Sequence, residues 1–329
     1  MSTQVGRELD KNCHNGWRIV GDMTESSLTT SPQRFFLDFE TTGLSPDTAQ
    51  VIEVALRGAA SLDRLISDAP TSLPEALQVH GITPWLCRVE GRPSRDVLTE
   101  LLEALGPDPV EIVAHNASFE QSFLEAWASR EGMQLPGVQW TCTLEWSRNL
   151  MAKAPINHRL GSLAKSLGWQ AEGLHRASAD TELTMRLYQA FKAWEGIQAT
   201  LGPDPGVVYL AGPLRGDGLV TTIAHNQQAM STLARWAQAM LPRATLLVPH
   251  LNFAFQDESG GNGWSVRSQV LRSCERLVAR CDALILLGEP TEGMLGEQKV
   301  ADFLRIPVLC APAWDGPDAL PALTTAYAG

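Results

Sequence analysis

Phe36-Leu37-Asp38-Phe39-Glu40-Thr41-Thr42-Gly43 decides the reading of this chain. The segment from Arg34 to Phe39 has the apolar, aromatic composition of a buried strand, and strand alternation puts Asp38 and Glu40 on one face. Two carboxylates at the end of so apolar a strand repel each other, and burying an ionised carboxylate without a partner is costly. A divalent cation removes both objections. For the pair taken alone, the alternative is a solvated strand end running into the Gly43-Leu44-Ser45-Pro46 turn.

Two further segments, His115-Asn116-Ala117-Ser118-Phe119-Glu120 and His175-Arg176-Ala177-Ser178-Ala179-Asp180, change that balance. A helix beginning near Ala117 carries Glu120, Phe123, Leu124 and Trp127 on one stripe, so the acid belongs to the face that meets the sheet. The helix after Ser178 repeats the arrangement with Asp180, Leu183, Thr184, Leu187 and Phe191. Acids in a first helical turn also complement the helix dipole. That explains their position along each helix but not why they join the apolar stripe. The set reads as a metal site assembled from one strand and two helices, with His175 beside it.

The rest of the chain bounds what such a site belongs to. With 329 residues, 44% of them hydrophobic, the chain has material for two domains with real cores. A net charge of −11 argues against a protein that coats nucleic acid through a broad basic surface. It leaves room for an enzyme that meets nucleic acid through metal ions and a local rim. Cys13, Cys87, Cys142, Cys274, Cys281 and Cys310 are scattered, with no CxxC pair, and read as reduced cytosolic thiols. No apolar run approaches the ~20 residues of a membrane span, and the polar first thirty residues lack a signal-peptide core. A soluble, cytoplasmic protein with no membrane partner is expected.

Residues 1–32 read as an extension, and 33–195 as alternating strands and helices. Residues 196–206, containing Gly202-Pro203-Asp204-Pro205-Gly206, read as a linker. Residues 207–329 open a second series. Its strands are expected at Val207–Leu210, Thr245–Val248, Ala283–Leu287 and Pro307–Cys310, with helices at about 222–241, 267–280 and 294–304. Short, continuously apolar strands separated by helices imply a parallel sheet covered on both faces. The Glu258 to Gly263 stretch is the candidate mobile loop.

Val51-Ile52-Glu53-Val54-Ala55, His80-Gly81-Ile82-Thr83, Thr141-Cys142-Thr143-Leu144 and Asn157-His158-Arg159-Leu160-Gly161-Ser162-Leu163 complete an ordered series with the three acidic motifs. Over residues 33–195 that series resembles the DEDDh family of 3′→5′ exonucleases, which includes the proofreading subunit of bacterial DNA polymerase III. The resemblance implies a ribonuclease H-like α/β domain that hydrolyses DNA or RNA phosphodiesters from a free 3′ end. It implies that Asp38, Glu40 and Asp180 bind two Mg²⁺ or Mn²⁺ ions and that His175 is the general base. The usual third acid is aspartate. Glu120 keeps the charge on a side chain one methylene longer, which allows a contact through water. Thr41, Thr42 and Leu44 fall where the family holds the terminal nucleotide. Without the acids, His175 would read as a helix cap or a phosphate contact. Lys153, His158, Arg159 and Arg176 are candidates for a phosphate-binding rim, with ordinary solvation as the alternative. His115 and Asn116 are read as shaping the loop before their helix.

In the second series, Tyr209-Leu210-Ala211-Gly212-Pro213-Leu214-Arg215-Gly216 is a strand followed by a glycine turn, which presents backbone N–H groups to an anion. Pro249-His250 and the stretch from Gly288 to Glu297 also follow strands, at the carboxyl edge where open α/β sheets bind ligands. Glu297, Val300, Ala301 and Leu304 make a helical stripe. Residues 207–312 resemble the nucleoside 2-deoxyribosyltransferase-like fold, a Rossmann-like parallel α/β domain. That resemblance implies that Glu297, in a Gly293-x-x-x-Glu297 pattern, attacks a sugar anomeric carbon, and that Gly212, Pro213 and Arg215 hold a nucleotide or nucleoside phosphate. No second acid is assigned, although Glu289 and Glu292 are near. Three readings stay open for the whole: an exonuclease with a nucleotide-binding domain, a nucleotide sensor, and an N-glycosidase or deoxyribosyltransferase.

Overall fold

The computed structural model describes residues 32–152, 157–167, 169, 173–213, 220–252, 263–288 and 290–311. The expected N-terminal extension apart from Pro32, Lys153, Arg215, Glu289 and residues 258–262 of the expected loop lie outside the described residues, and Gly263 opens a helix.

The quoted strand, β1 (Gln33–Thr41), sends Phe35, Leu37 and Phe39 to one face and Phe36, Asp38 and Glu40 to the other. β2 (Val51–Gly58) and β3 (Leu62–Leu65) follow it, and α1 (Pro74–His80), α2 (Pro84–Glu90) and α3 (Ser94–Leu105) come next. Then come β4 (Val110–Ala114), α4 (Ala117–Glu131), β5 (Val138–Cys142), α5 (Thr143–Leu150), α6 (Leu160–Ser166) and α7 (Ala177–Leu201). The sheet order is β3-β2-β1-β4-β5, antiparallel on the β2 side of β1 and parallel on the β4 side. This mixed sheet fits the ribonuclease H-like expectation. Being central, β1 is covered on both faces, which explains its nearly unbroken apolar sequence. One face packs with Val54, Leu56, Leu98, Leu101, Phe123 and Trp127, under α3 and α4. On the other, Phe36 meets Tyr188 of α7 edge-on, with ring centroids 5.5 Å apart. The β1–β2 register slips between Glu40 and Thr41. A bulge at that point re-aims the strand end beside the acids.

The second unit comprises β6 (Val207–Ala211), α8 (Val220–Met240), β7 (Thr245–Leu247), α9 (Pro249–Asn252), α10 (Gly263–Val278), β8 (Ala283–Leu287), α11 (Glu292–Leu304) and β9 (Val308–Ala311). Its four strands are all parallel, in the order β7-β6-β8-β9, as the apolar runs implied. The chain steps outward from β6 to β7 and returns to β8 on the far side, so strand order reverses between β6 and β8.

The linker expectation needs correction. Residues 196–201 are the last turns of α7, and only 202–206 connect the units. Gly196 did not stop the helix because its neighbours Trp194 and Ile197 are buried. Tertiary burial outweighs the ~1 kcal/mol helix penalty of one glycine. Those residues belong to a core that runs from Leu163 and Leu187 through Phe191 and Trp194 to Leu233, Trp236, Val208 and Ile285. Phe191 stacks on Trp236 of α8 at 6.1 Å with 7° between ring planes, and Gln198 donates to the Met240 carbonyl. One apolar cluster therefore joins α6 and α7 of the first unit to the second sheet. The opposite face of β6 and β8 packs Tyr209, Leu284 and Leu286 against Cys274, Val278, Met294 and Ala301.

A shared core has a measurable consequence. Trp236→Ala, in the second unit, should cost about 3–5 kcal/mol in a denaturant titration. It should lower the midpoint for probes in both units together. Two transitions, with only the second unit displaced, would show that the units are independent.

Candidate metal centre

Asp38 and Glu40 leave β1 on the face covered by α7, and Asp180 comes down from the first turn of α7. Oxygen atoms of these three carboxyl groups all lie within 4.8 Å of one another. Glu120 reaches the same region from the first turn of α4, where it is only 3% exposed. The turn into α4 is made by Asn116 in the left-handed region, φ 79°. His115 fixes it, with Nδ1 paired to Thr143 Oγ1 at 2.9 Å and Nε2 to the His158 carbonyl at 3.1 Å. Burial pushes the His115 imidazole down to about 4, so it is neutral and structural, as the sequence implied.

Crowding four acids into this space perturbs every one of them. Burial, then the charges of Glu120, Asp180 and Glu40, hold Asp38 well above the carboxylate range. Glu40 is pushed up to about 8 by burial and by Asp180 and Glu53. Glu120 also rises to about 8, through burial and Glu40. Burial raises Asp180 too, opposed by the hydrogen bond it accepts from the His175 backbone N–H at 3.3 Å. One oxygen of Glu120 and one of Asp180 are buried with no hydrogen-bond partner. Buried acceptors without donors are rare in native proteins, and hard oxygens in this state suit Mg²⁺ or Mn²⁺. The donor set fits the implied ions.

His175 sits at the rim, exposed, with φ 67°. Arg176 is not free for a phosphate rim, as had been expected. Its guanidinium is bound to Glu53, with Nη2 to Oε1 at 2.5 Å and Nε to both oxygens at 3.1 Å. The His158 ring is likewise engaged, by Ser147 Oγ at 3.0 Å. Thr41 and Thr42 are buried, with Thr41 Oγ1 donating to the Gly43 carbonyl and Thr42 Oγ1 accepting from the Gln50 N–H, whereas Leu44 is 86% exposed. Glu53 is the residue that sequence reasoning passed over. Its signal was available: an acid inside the apolar run Val51-Ile52-Glu53-Val54-Ala55, the same anomaly that marked Asp38.

In the second unit Glu297 is buried and accepts the Tyr209 hydroxyl at 2.6 Å. Burial raises its carboxyl to about 7, while hydrogen bonds from Tyr209 and Cys274 pull the other way. Gly293 lies in the first turn of α11, and Gly212 and Pro213 follow β6 directly. The His250 ring lies beside the Gly212 and Pro213 backbone, yet neither of its nitrogens makes a hydrogen bond of ordinary geometry.

The raised carboxyls set the pH response of the metal-free protein. A group held above its unfolded value stabilises the fold fully below that value and loses the contribution as pH rises through the folded one. For Glu40 the window runs from about 4.5 to about 8. In EDTA the Tm should fall across that window, and Mn²⁺ should restore it. Glu40→Gln should raise the metal-free Tm near pH 8 by about 2–4 °C and shrink the gain from Mn²⁺. A Tm independent of both pH and Mn²⁺ would contradict the account.

Comparison with known proteins finds similarity over the first unit. Residues 35–188 match the RNase_T family model, described as exonuclease. A DNA polymerase III of PolC type from Thermotoga maritima is 28% identical over 183 residues, which is 53% of this chain and 13% of that protein. The corresponding protein of Bacillus cereus is 33% identical over 153 residues, 45% of this chain and 10% of that one. The chain thus spans about a tenth of the length of these relatives. Exonuclease I of E. coli in complex with a dT13 oligonucleotide superposes with a TM-score of 0.45 at 19% identity, covering 52% of this chain and 42% of that one. Residues 35–188, a little under half of the chain, are thus similar to exonuclease domains of the RNase_T family.

Proposed function

We propose that this protein is a metal-dependent 3′→5′ exonuclease that hydrolyses DNA or RNA from a free 3′ end. The observation that carries the reading is the cluster of Asp38, Glu40 and Asp180, with carboxyl oxygens within 4.8 Å and Glu120 buried beside them. These are the residues that would hold two Mg²⁺ or Mn²⁺ ions, Glu120 by a direct or a water-bridged contact. When bound, such a pair neutralises charge on the attacking and leaving oxygens of a phosphodiester. His175, exposed at the rim, takes the proton of the attacking water on a ring nitrogen. Leu44, exposed at the mouth of the turn after β1, offers the terminal nucleotide an apolar contact. The five described cysteines are free, which fits a reducing compartment such as the cytoplasm.

A 3′-labelled oligonucleotide with Mg²⁺ should be shortened one nucleotide at a time. Asp38→Ala should reduce the rate by roughly 100-fold or more, the scale of lost transition-state charge stabilisation. Equal rates for the two proteins would sink the assignment.

A second reading concerns residues 207–311, and the Tyr209–Glu297 pair favours it. A carboxyl group buried at the carboxyl side of a parallel sheet and titrating near neutrality suits a nucleotide- or nucleoside-binding pocket. The deoxyribosyltransferase-like resemblance gives Glu297 the nucleophile's role there, with Gly212, Pro213 and Gly293 as neighbours of the ligand. If the pocket turns over, free base should appear from nucleosides or nucleotides, and Glu297→Ala should abolish it while Asp38→Ala leaves it intact. Binding without base release would make this unit a nucleotide sensor. Neither binding nor release would leave it architectural.

A further inference from the structure

We propose that Glu53 is a positioning residue for the exonuclease site, holding His175 and Asp180 in register with β1 by capping α7 from a neighbouring strand. The inference rests on the exonuclease reading for its kinetic consequence, but its structural content is independent of it.

The start of α7 lacks a cap of its own. Its N-cap residue is Arg176, which makes no side-chain cap hydrogen bond. Helix N-termini leave backbone N–H groups unsatisfied, and a buried one needs an acceptor. Glu53 supplies it from β2: the Ala177 N–H donates to Oε2 at 2.9 Å. The same carboxylate takes the Arg176 guanidinium, so both of its oxygens are fully engaged by α7 and the residue before it. It therefore has no lone pair to spare for a cation and is not a fifth ligand. It is buried, at 6% exposure, and sits directly across the β1–β2 ladder from Glu40.

That placement makes Glu53 the joint between the two halves of the site. On one side of it stands the strand that bears Asp38 and Glu40. On the other stand His175, Arg176, Ala177 and Asp180. His175 has a backbone φ of 67°, which a residue with a β-carbon keeps only when its surroundings over-determine it. Two tethers do so: the His175 N–H to Asp180 Oδ2, and Arg176 to Glu53. Because Arg176 is half exposed, loss of Glu53 lets its guanidinium turn to water rather than stay buried and unpaired. The expected defect is in the placement of His175 and Asp180 rather than in the fold.

Three measurements on the full chain test this: kcat and KM on a 3′-labelled oligonucleotide, Mn²⁺ affinity by calorimetry, and amide exchange over residues 177–180. Glu53→Ala should lower kcat about 30-fold, change KM by less than about threefold, weaken Mn²⁺ binding about fivefold and speed exchange. Glu53→Gln, which keeps an acceptor for the Ala177 N–H, should recover much of the loss. Glu100→Gln, which removes the carboxylate that pairs with Arg64 and Arg92, should leave every readout within about twofold. Should Glu53→Ala not fold, Arg176→Ala carries the same decision: a fall in kcat supports positioning, whereas a rise in KM alone marks Arg176 as a substrate contact and overturns the proposal. Folded Glu53→Ala with unchanged kcat, Mn²⁺ affinity and exchange also overturns it. If the wild-type chain cleaves no oligonucleotide, the exonuclease reading fails, and Mn²⁺ affinity with amide exchange still decides the role of Glu53.

Discussion

Mutual repulsion among Asp38, Glu40, Glu120 and Asp180 is the constraint around which the first unit is built. Burial, and after it the charge of a neighbouring acid, keeps these groups from all ionising, and Glu40 and Glu120 are held near 8. Without cations the fold gives up stability there. It keeps the arrangement because three separate elements, β1, α4 and α7, are anchored elsewhere by apolar packing. The strain is local, and the surrounding core is large enough to hold it. Such a site is poised for a doubly charged ion, because binding removes repulsion and satisfies the unpaired oxygens of Glu120 and Asp180 at once.

Helix α7 connects that site to everything after it. Its first turn carries Asp180, its middle covers β1 through Tyr188 and Phe36, and its last turns lie in the core shared with β6, β8 and α8. At 25 residues it spans roughly 37 Å, from the rise of an α-helix. A rigid element with Asp180 at one end and a second sheet at the other makes the second unit part of the first unit's support. Phe191 stacks on Trp236 and Gln198 donates to the Met240 carbonyl across residues 202–206. The short connection is a covalent joint within one packed body.

The second unit repeats, on a smaller scale, the logic of an acid placed where an apolar residue would pack. Glu297 lies within the face formed by Tyr209, Leu284, Leu286 and Met294, and the Tyr209 hydroxyl supplies its hydrogen bond. Cys274 adds a second, so the carboxyl group is buried but not orphaned. This differs from the candidate metal centre, where one oxygen each of Glu120 and Asp180 is left without a partner. A satisfied carboxyl suits an organic ligand or a structural role, and an unsatisfied cluster suits cations.

Much of this was written in the sequence. Alternation in Phe36-Leu37-Asp38-Phe39-Glu40 put two acids on one face, and helical stripes at Glu120 and Asp180 aimed two more inward, because periodicity is a local property of backbone geometry. The apolar runs at Val207, Thr245, Ala283 and Val308 likewise announced buried parallel strands. Other features depended on contacts between residues far apart in the chain. Gly196 read as the start of a linker, since a single glycine weakens a helix locally, but the burial of Trp194 and Ile197 carried α7 on to Leu201. Arg176 read as a candidate for a phosphate-binding rim, with ordinary solvation as the alternative. Its partner is Glu53, more than a hundred positions earlier, brought to it only when β2 docks beneath α7. Local pattern therefore determined which side chains point inward. Only the assembled sheet and helices decided which of those side chains meet, because pairing energy depends on distance in space.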